Sequence, residues 1–354
     1  MSDHLGPSSS RLRARFLDAA RRQPVDVTPV WLMRQAGRSL PEYRKLRERW
    51  SLVEIVAQPE LCAEVTLQPV RRLGVDAAVM FADIMLPLRG MGVEFELVEN
   101  VGPVIAHPIT CVADVEALRV PDGEEAAPQV ITAVRYVVAE SPVPVICFSG
   151  APFTLACYLI EGRPTRDFTK VKAFMFTQPL AFDLLLEKLA KTMSAYLKAQ
   201  VEAGASAVQL FDSWVGALAL EDYESRIVQH TRSIFDSLAP LGVPRLHFGT
   251  NTAGLLEVIA QSGTDIVSLD WRVPLDEGWR RIGQDRGVQG NLDPAVLLGP
   301  ADLVRERAGD VLRRAGGRAG HIFNLGHGVL PETSLDNLQL LIETVHAWVP
   351  ADVA

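Results

Sequence analysis

The chain has 354 residues, of which 48% are hydrophobic and 22% charged, the composition of a globular protein with a large core. Its formal net charge of −8 argues against general nucleic-acid binding, which needs a basic face. No apolar stretch approaches the ~20 residues that cross a bilayer, and none follows the N-terminal arginines, so we expect no membrane span and no secretory signal.

The N-terminal residues 1–14, which include the sequence Gly-Pro-Ser-Ser-Ser, are expected to form a disordered tail. Beyond it, eight short apolar runs are typical of strands. Most are continuous rather than alternating, as expected for strands buried on both faces of a parallel sheet. The predicted strands are residues 29–33, 76–81, 144–148, 207–211, 245–248, 265–269, 287–289 and 321–324.

Helical patterns lie between these runs. The clearest covers residues 179–203, where Pro179 marks the start and Gly204 the end. Others cover residues 301–315, before a Gly-Gly pair, and residues 332–348, beginning near Pro331. Residues 93–107 are interpreted as a hairpin with a Glu-Asn-Val-Gly turn.

Eight strands that alternate with helices indicate an α/β fold, a single (β/α)8 TIM barrel with the hairpin inserted after the second strand. A doubly wound open sheet is the structural alternative. Because no linker or internal repeat interrupts the pattern, we expect residues 15–354 to form one catalytic domain.

Polar residues follow almost every predicted strand. In a parallel barrel the carboxyl ends of all strands open onto one face, where catalysis takes place, so these residues should converge there. We interpret the groups after strands six and seven as structural corners. The strand-end residues are Arg34 and Arg38; Asp83; Ser149, Gly150, Thr154 and Tyr158; Asp212 and Ser213; Thr250 and Asn251; Asp270 and Trp271; Asn291; and His327.

The residue types at these strand ends limit the chemistry. Arginines on a glycine-containing loop suit forked hydrogen bonds to carboxylates or phosphates, and Asp83 supplies one carboxylate among cationic and hydroxyl groups. Such a pocket fits an anionic ligand on which positive charge develops. The chain lacks GxGxxG, HExxH, CxxC and GxSxG, the usual motifs of nucleotide, zinc, thiol and acyl-serine chemistry.

Structural alternatives remain open for these residues. The two arginines could pair with Glu42, Asp83 and Ser213 could cap helices, and Tyr158 could belong to the core. A lone histidine is more often structural than catalytic, but the glycines on both sides of His327 suggest close backbone approach to a ligand.

The strand-end blocks also resemble a known family. Residues 29–38, PVWLMRQAGR, followed by Pro-Glu-Tyr at 41–43, are similar to the first signature of the uroporphyrinogen decarboxylase family, and GAPFT at 150–154 through Glu-Gly at 161–162 resembles the second. FADI, QLFDS, LDW, GNLDP and NLGHG follow in the family's order, so the resemblance covers roughly residues 28–332. The Arg-Gly pair at 89–90 departs from the pattern, which puts a local loop contact in doubt.

The resemblance implies a (β/α)8 barrel without metal or cofactor, usually a homodimer in the cytoplasm. The implied reaction removes CO2 from the four acetate side chains of uroporphyrinogen III, which gives coproporphyrinogen III for tetrapyrrole and haem biosynthesis. The implied catalytic residues are Arg34, Arg38, Asp83 and Tyr158. Those implied to contact substrate are Arg34, Gln35, Ala36, Gly37, Arg38, Asp83, Phe148, Tyr158, Phe211, Ser213 and His327.

The resemblance also suggests individual roles. The arginines would hold carboxylates, and Asp83 would face the pyrrole N–H groups. Tyr158 and Ser213 would contact acetate or propionate, His327 a propionate, and the two phenylalanines would pack near the macrocycle. The proton donor stays open among an arginine, water and a substrate carboxyl, because a guanidinium is a poor acid.

Two other functions would use part of the same set of residues. A corrinoid-dependent methyltransferase on the same scaffold would bind zinc through histidine and cysteine, but only Cys147 and Cys157 lie near strand ends, with no histidine beside either. A tetrapyrrole carrier would need the arginines but not Asp83. The four cysteines, which include Cys62 and Cys111, are interpreted as buried free thiols of a reducing compartment, since none has metal-site spacing.

Overall fold

Seven parallel strands form a curled sheet in which their spatial order follows their order along the chain. The remaining two strands pair separately with each other. The computed structural model describes residues 9–98 and 101–349. Because the order of the large sheet follows the chain without reversal, it has no switch point of the doubly wound kind. The strands are β1 (Ala78–Val79), β2 (Phe95–Val98), β3 (Gly102–Ile105), β4 (Val145–Gly150), β5 (Ala207–Asp212), β6 (Arg245–Gly249), β7 (Ile266–Ser268), β8 (Gly287–Gln289) and β9 (His321–Ile322).

Helices separate the strands of the large sheet and cover its outside, so these seven strands are almost completely buried. The helices are α1 (Ser9–Ala20), α2 (Pro41–Arg47), α3 (Leu52–Val56), α4 (Pro59–Leu73), α5 (Val112–Ala117), α6 (Gly123–Ala126), α7 (Pro128–Glu140), α8 (Pro152–Glu161), α9 (Thr169–Thr177), α10 (Pro179–Glu202), α11 (Leu220–Asp222), α12 (Val228–Leu238), α13 (Leu256–Ala260), α14 (Leu275–Ile282), α15 (Ala301–Ala315) and α16 (Leu335–His346).

The first predicted strand, residues 29–33, is not a regular strand. Only Val30 forms a β-bridge, parallel to Phe323. Its carbonyl accepts a bond of 2.8 Å from the Asp76 amide, so the segment lies between the last strand and the residues that precede β1. The segment thus occupies an eighth position without continuous strand pairing.

Side chains replace part of the missing ladder. Three amides of the segment donate to buried side-chain oxygens instead of to a neighbouring backbone, which satisfies them without regular pairing. These bonds are Val30 to Asp76 at 2.8 Å, Leu32 to Gln35 at 3.0 Å and Met33 to Asn324 at 3.1 Å. The sequence therefore predicts correctly that the apolar run is buried, but the prediction of a strand is wrong.

Antiparallel pairing joins β2 to β3, with Phe95 opposite Ile105 and Val98 opposite Gly102. The predicted Glu-Asn-Val-Gly turn between them includes residues 99–100, which lie outside the described residues. A short 3-10 helix, Leu86–Arg89, leads from the end of β1 towards this pair.

Both ends of the chain correct the predictions. The tail was expected to extend to residue 14, but α1 begins at Ser9, and Arg15 within it is buried by ion pairs with Asp26 and Asp76. Residues 1–8 lie outside the described part. The last helix begins at Leu335, not near Pro331, because the Ser334 side chain caps it by accepting the Asn337 amide.

The other helix predictions agree closely with the structure, at Pro179–Glu202 and Ala301–Ala315. The cysteine prediction holds for three residues but is wrong for Cys111, which is exposed. Cys111 stands at the N-cap of α5, where its amide donates to Asp114, and helix caps usually lie at the surface.

Candidate active site

The loop after residues 29–33 turns sharply at Arg34, whose φ of +61° lies in the left-handed region. A side chain at Gly37 would come within 2.8 Å of the Arg34 carbonyl, so only glycine fits there. A non-glycine residue with a positive φ, such as Arg34, carries strain of about 1–3 kcal/mol. Strain of this kind is found mainly at functional sites. The turn leaves Arg34 and Arg38 exposed on the strand-end face.

Gln35 was predicted to contact substrate, but its side chain is buried in the core. Its amide nitrogen donates to the Ala77 carbonyl at 3.0 Å, and its oxygen accepts the Leu32 amide. The prediction is therefore corrected for this side chain, which supports the turn. Ala36 and Gly37 are half-buried beside it and offer mainly backbone groups.

The Arg34 side chain lies across Gly328, where a Cβ would meet its Nε at 3.0 Å and its Cγ at 2.7 Å. Gly326 is closed in a similar way, since a Cβ there would lie 3.0 Å from the Trp271 ring. From the sequence, the glycines beside His327 suggest close approach of the backbone to a ligand. The structure corrects this interpretation, because their close neighbours are other loops of the same chain.

His327 accepts the Gly328 amide at Nδ1, with a distance of 2.7 Å. Burial, with smaller contributions from the positive charges of Arg34 and Arg272, lowers the pKa of His327 to about 4. The ring is therefore neutral at pH 7, and its proton resides on Nε2. This leaves the Nε2–H group as a hydrogen-bond donor.

Asp83 follows β1 and accepts the Met85 amide at Oδ1, with a distance of 2.9 Å. This bond closes a turn before the 3-10 helix Leu86–Arg89, whose N-cap is Met85, so the alternative that Asp83 caps a helix is wrong. Within the part of the chain that the structure describes, Oδ2 has no hydrogen-bond partner. Burial raises the pKa of Asp83, whereas the Met85 bond and the charge of Arg34 lower it.

The unexpected Arg-Gly pair after this loop is turned towards the hairpin strands. The Arg89 guanidinium lies 5.0 Å from the centre of the Phe95 ring. Gly90 packs so closely against Ala126 that a Cβ would lie 2.8 Å from its Cα. The departure from the family pattern therefore concerns packing of the loop.

Tyr158, on α8, stacks against Trp214 with ring centres 4.0 Å apart. Burial raises the pKa of Tyr158, the negative charge of Asp83 raises it further, and the charge of Arg34 opposes both. Arg34 therefore lies within electrostatic range of Asp83, Tyr158 and His327. Three residues that follow β1, β4 and β9 therefore lie near Arg34, which follows the irregular segment 29–33.

A buried hydrogen-bond relay holds Trp214, the residue against which Tyr158 packs. The Thr154 hydroxyl donates to Asp212 at 2.8 Å and accepts the Trp214 amide at 3.2 Å. The sequence predicts Asp212 among the strand-end groups, but its side chain is fully buried and accepts the Thr154 hydroxyl. Ser213 is half-buried next to Trp214, and its carbonyl accepts the Thr250 hydroxyl at 2.6 Å.

Aromatic rings form a row across neighbouring strands. Phe148 contacts Phe211 at 5.1 Å between ring centres, Phe211 contacts Phe248 at 5.6 Å, and Phe248 contacts His327 at 6.0 Å. The two phenylalanines implied by the resemblance are therefore neighbours. Phe248 was missed, although its position one residue before the end of β6 was a usable signal.

The corners after strands six and seven are structural, as interpreted from the sequence. The Asn291 side chain donates to the carbonyls of Asp270 and Val273, and the Asp270 carboxylate accepts the amides of Asn251 and Arg272. Sequence reasoning missed Arg272, which also pairs with Asp270 at 3.0 Å. A guanidinium directly after a strand-end LDW block could have indicated it.

Within residues 9–98 and 101–349, no group of three or more His, Cys, Asp or Glu side chains is arranged to hold a metal ion. Across the same residues, no helix is long and apolar enough to cross a membrane.

Comparison with known proteins gives a consistent result. The model of the family described as "Uroporphyrinogen decarboxylase (URO-D)" matches residues 11–348. The chain is 50% identical over 333 residues to a uroporphyrinogen decarboxylase of Carboxydothermus hydrogenoformans, covering 94% of this chain and 95% of that protein. It is 52% identical over 330 residues to one of Thermus thermophilus, covering 93% and 96% of the two chains.

Among solved structures, a methyltransferase from Methanosarcina mazei aligns with a TM-score of 0.76, covering 94% of this chain and 97% of that one. The two sequences are only 21% identical, so this likeness concerns the fold alone.

Proposed function

The chain belongs to the uroporphyrinogen decarboxylase family, and we propose that the cleft around Arg34, Asp83, Tyr158 and His327 is its active site. The activity is that of a carboxy-lyase. It removes CO2 from the four acetate side chains of uroporphyrinogen III, giving coproporphyrinogen III for tetrapyrrole and haem biosynthesis. The observation that best supports the site is the convergence of these residues on the guanidinium of Arg34.

Substrate binding rests on matching charges. Uroporphyrinogen carries eight carboxylates, and the planar forks of Arg34 and Arg38 suit them better than lysine point charges. The Nε2–H group of neutral His327 adds a donor for a propionate, and the hydroxyl groups of Tyr158 and Ser213 reach acetate or propionate groups. The half-buried Phe211 ring, which packs against the buried rings of Phe148 and Phe248, provides an apolar contact for the macrocycle.

Decarboxylation requires somewhere for the electrons of the broken C–C bond to go. Protonation of a pyrrole carbon gives a cationic ring, and this ring accepts the electron pair as CO2 leaves. The Asp83 carboxylate beside the pyrrole nitrogens stabilises the cation more than the neutral ground state, which lowers the barrier. The burial of Asp83 away from bulk water strengthens this stabilisation, since charges interact more strongly where the local dielectric is low.

The pKa of Asp83 reflects opposing effects. Burial raises the pKa overall, and the Met85 amide and the charge of Arg34 counteract part of this shift by favouring the ionised form. The positive charge that develops on the substrate favours the carboxylate in the same way as Arg34. In this proposal the pyrrole itself is the electron sink, and the proton donor stays open among an arginine, water and a substrate carboxyl.

For the scaffold, we propose a single (β/α)8 barrel domain in which residues 29–33 take the eighth position and β2 and β3 form an inserted hairpin. Support comes from the bonds that link this segment to residues next to β1 and β9.

For the assembly, we propose a homodimer in the cytoplasm. Phe176, Leu180 and Leu220 are 54%, 87% and 41% exposed, and the Arg226 guanidinium lies 5.9 Å from the Phe176 ring centre. Such exposed apolar side chains suit contact with a second copy. All four cysteines are free, which fits a reducing compartment. Analytical ultracentrifugation would test the dimer.

The role of Asp83 is tested by Asp83→Asn, which keeps the acceptor for the Met85 amide but removes the charge. We expect kcat to fall about 10²-fold or more, the scale of losing a preorganised electrostatic group, with little change in porphyrin binding. The measurement is anaerobic turnover of uroporphyrinogen, with oxidised products separated by carboxyl number. A chelator arm separates this reaction from zinc-dependent chemistry.

Asp293→Asn is a matched control, because Asp293 accepts the Ala295 amide at 2.9 Å in the same local geometry. This variant should turn over at the wild-type rate. If Asp83→Asn is as active as this control, Asp83 is only a turn residue and the proposed mechanism is wrong.

A further inference from the structure

Arg272 lies next to the proposed site, directly after the LDW block, and belongs to none of the sequence motifs. It follows Trp271 in the loop after β7, and Trp271 packs against Gly326, the residue before His327. On the other side of His327, the Arg34 side chain rests on Gly328. Arg34 and Arg272 are therefore on loops that contact opposite flanks of the His327 segment.

The Arg272 guanidinium is held in place while part of it stays open to solvent. Its Nη1 donates to Asp270 Oδ2 at 3.0 Å, and its plane lies 4.0 Å from the centre of the Trp271 ring. The side chain is nevertheless 43% exposed. An arginine has five N–H donors, so most of them are left for another acceptor.

Asp270 neutralises Arg272 only in part. Its two oxygens also accept the amides of Arg272 and Asn251, so the carboxylate is shared among three donors. Because the guanidinium is 43% exposed and screened by solvent, the ion pair contributes little to stability and gives a weak structural reason for the arginine. The charge of Arg272 also acts on His327, where it favours the neutral ring together with Arg34.

We propose that Arg272 is a third substrate-binding guanidinium, which holds a peripheral carboxylate of the tetrapyrrole beside the Nε2–H donor of His327. This inference rests on the proposed site and extends it by a residue. Stacking on Trp271 and the bond to Asp270 hold the guanidinium in advance, so little side-chain entropy is lost when a carboxylate binds. Bidentate binding by arginine would also fix the orientation of the macrocycle.

The test compares Arg272→Gln with Arg280→Gln, in which the control arginine is exposed on α14 and pairs with Glu277. For Arg272→Gln we expect KM for uroporphyrinogen to rise about tenfold or more, the scale of one charged hydrogen bond, with kcat within about threefold of wild type. Arg272→Lys keeps the charge but not the forked geometry, so its KM should lie between those of wild type and Arg272→Gln. Arg280→Gln should match wild type.

Direct binding gives a second readout that does not depend on turnover. Quenching of tryptophan fluorescence by uroporphyrin, which has eight carboxylates, should show the same loss of affinity in Arg272→Gln. Equal KM and equal porphyrin affinity in Arg272→Gln and Arg280→Gln would overturn the proposal. A wild-type protein that fails to decarboxylate would instead contradict the assigned activity, so the two failures are distinguishable. If Arg272→Gln does not fold, unchanged KM in Arg272→Lys has the same meaning.

Discussion

Two histidines, His321 and His327, have pKa values lowered to about 4, chiefly because burial disfavours the protonated ring. His321 is held by a contact of 2.9 Å between its Nε2 and the Gly290 carbonyl. In the unfolded chain both rings would titrate near pH 6.5. The unfolded state therefore takes up protons first as the pH falls from 6.5 towards 4, and stability is lost in that window.

We expect the free energy of unfolding to fall by about 1–2 kcal/mol per histidine between pH 6.5 and 5, from ~1.4 kcal/mol per unit of pKa difference. Urea unfolding at several pH values measures this slope. His327→Gln keeps a donor but does not titrate, so its slope should be shallower by as much as one proton. A stability that stays flat over this range in wild type would contradict the burial of the two rings.

At the residue scale, the sequence predicted that Asp83, Tyr158 and His327 lie near Arg34, but not how these side chains are held. The bend at Arg34 depends on a positive φ and on Gln35 as an internal brace, and a sequence motif does not distinguish a bracing amide from a binding one. The glycines beside His327 show the same limit. Glycine indicates a close neighbour, but only the fold shows that the neighbours are Arg34 and Trp271.

At the scale of elements, buried apolar runs predicted seven of the strands because continuous hydrophobicity is a local property. The first run failed as a strand because its hydrogen-bond partners are side chains distant in sequence, such as Asp76 and Asn324. The same limit hid the relay through Thr154, in which α8, the end of β5 and the loop carrying Trp214 meet.

Thr154→Val tests this relay, since it keeps the shape of the side chain but removes the hydroxyl. It leaves the Trp214 amide without its acceptor and Asp212 without its donor, and each unsatisfied buried group costs about 1–3 kcal/mol. We expect a lower unfolding temperature and a kcat/KM reduced about tenfold, because Trp214 no longer holds Tyr158 firmly. Thermal unfolding and steady-state kinetics measure the two effects.

Thr154→Ser is the matched control, because it retains the hydroxyl and should keep kcat/KM within about threefold of wild type. Serine keeps the hydroxyl of threonine but lacks its methyl group. Wild-type activity of the serine variant would therefore show that the hydroxyl positions the site and that packing of the methyl group does not. If valine and serine variants have equal activity, the relay does not position the site.

At the scale of the whole molecule, Asp76 joins segments from both ends of the chain. Its carboxylate accepts Arg15 of α1 at 2.6 Å and the amide of Val30 at 2.8 Å, and it contacts His346 of α16 at 2.7 Å. The side chain is only 1% exposed. Asp76 lies before β1 and Asp83 after it, so this junction is at the opposite end of the strand from the proposed site.

We therefore expect Asp76→Asn to destabilise the protein without disabling it. Removing one partner from a buried ion pair costs about 3–5 kcal/mol, because Arg15 keeps its charge but loses part of its neutralisation. Urea unfolding measures the loss, and kcat at 25 °C should stay within about threefold of wild type.

Asp265→Asn provides the comparison, because Asp265 also binds an arginine and a backbone amide but is 39% exposed. The exposed pair is more strongly screened by solvent, so the same substitution there should cost about 1 kcal/mol or less. If the two variants lose equal stability, burial of Asp76 does not matter. If Asp76→Asn stays folded but loses activity, the junction and the active site are coupled across the sheet, and the separation of stability from catalysis along β1 is wrong.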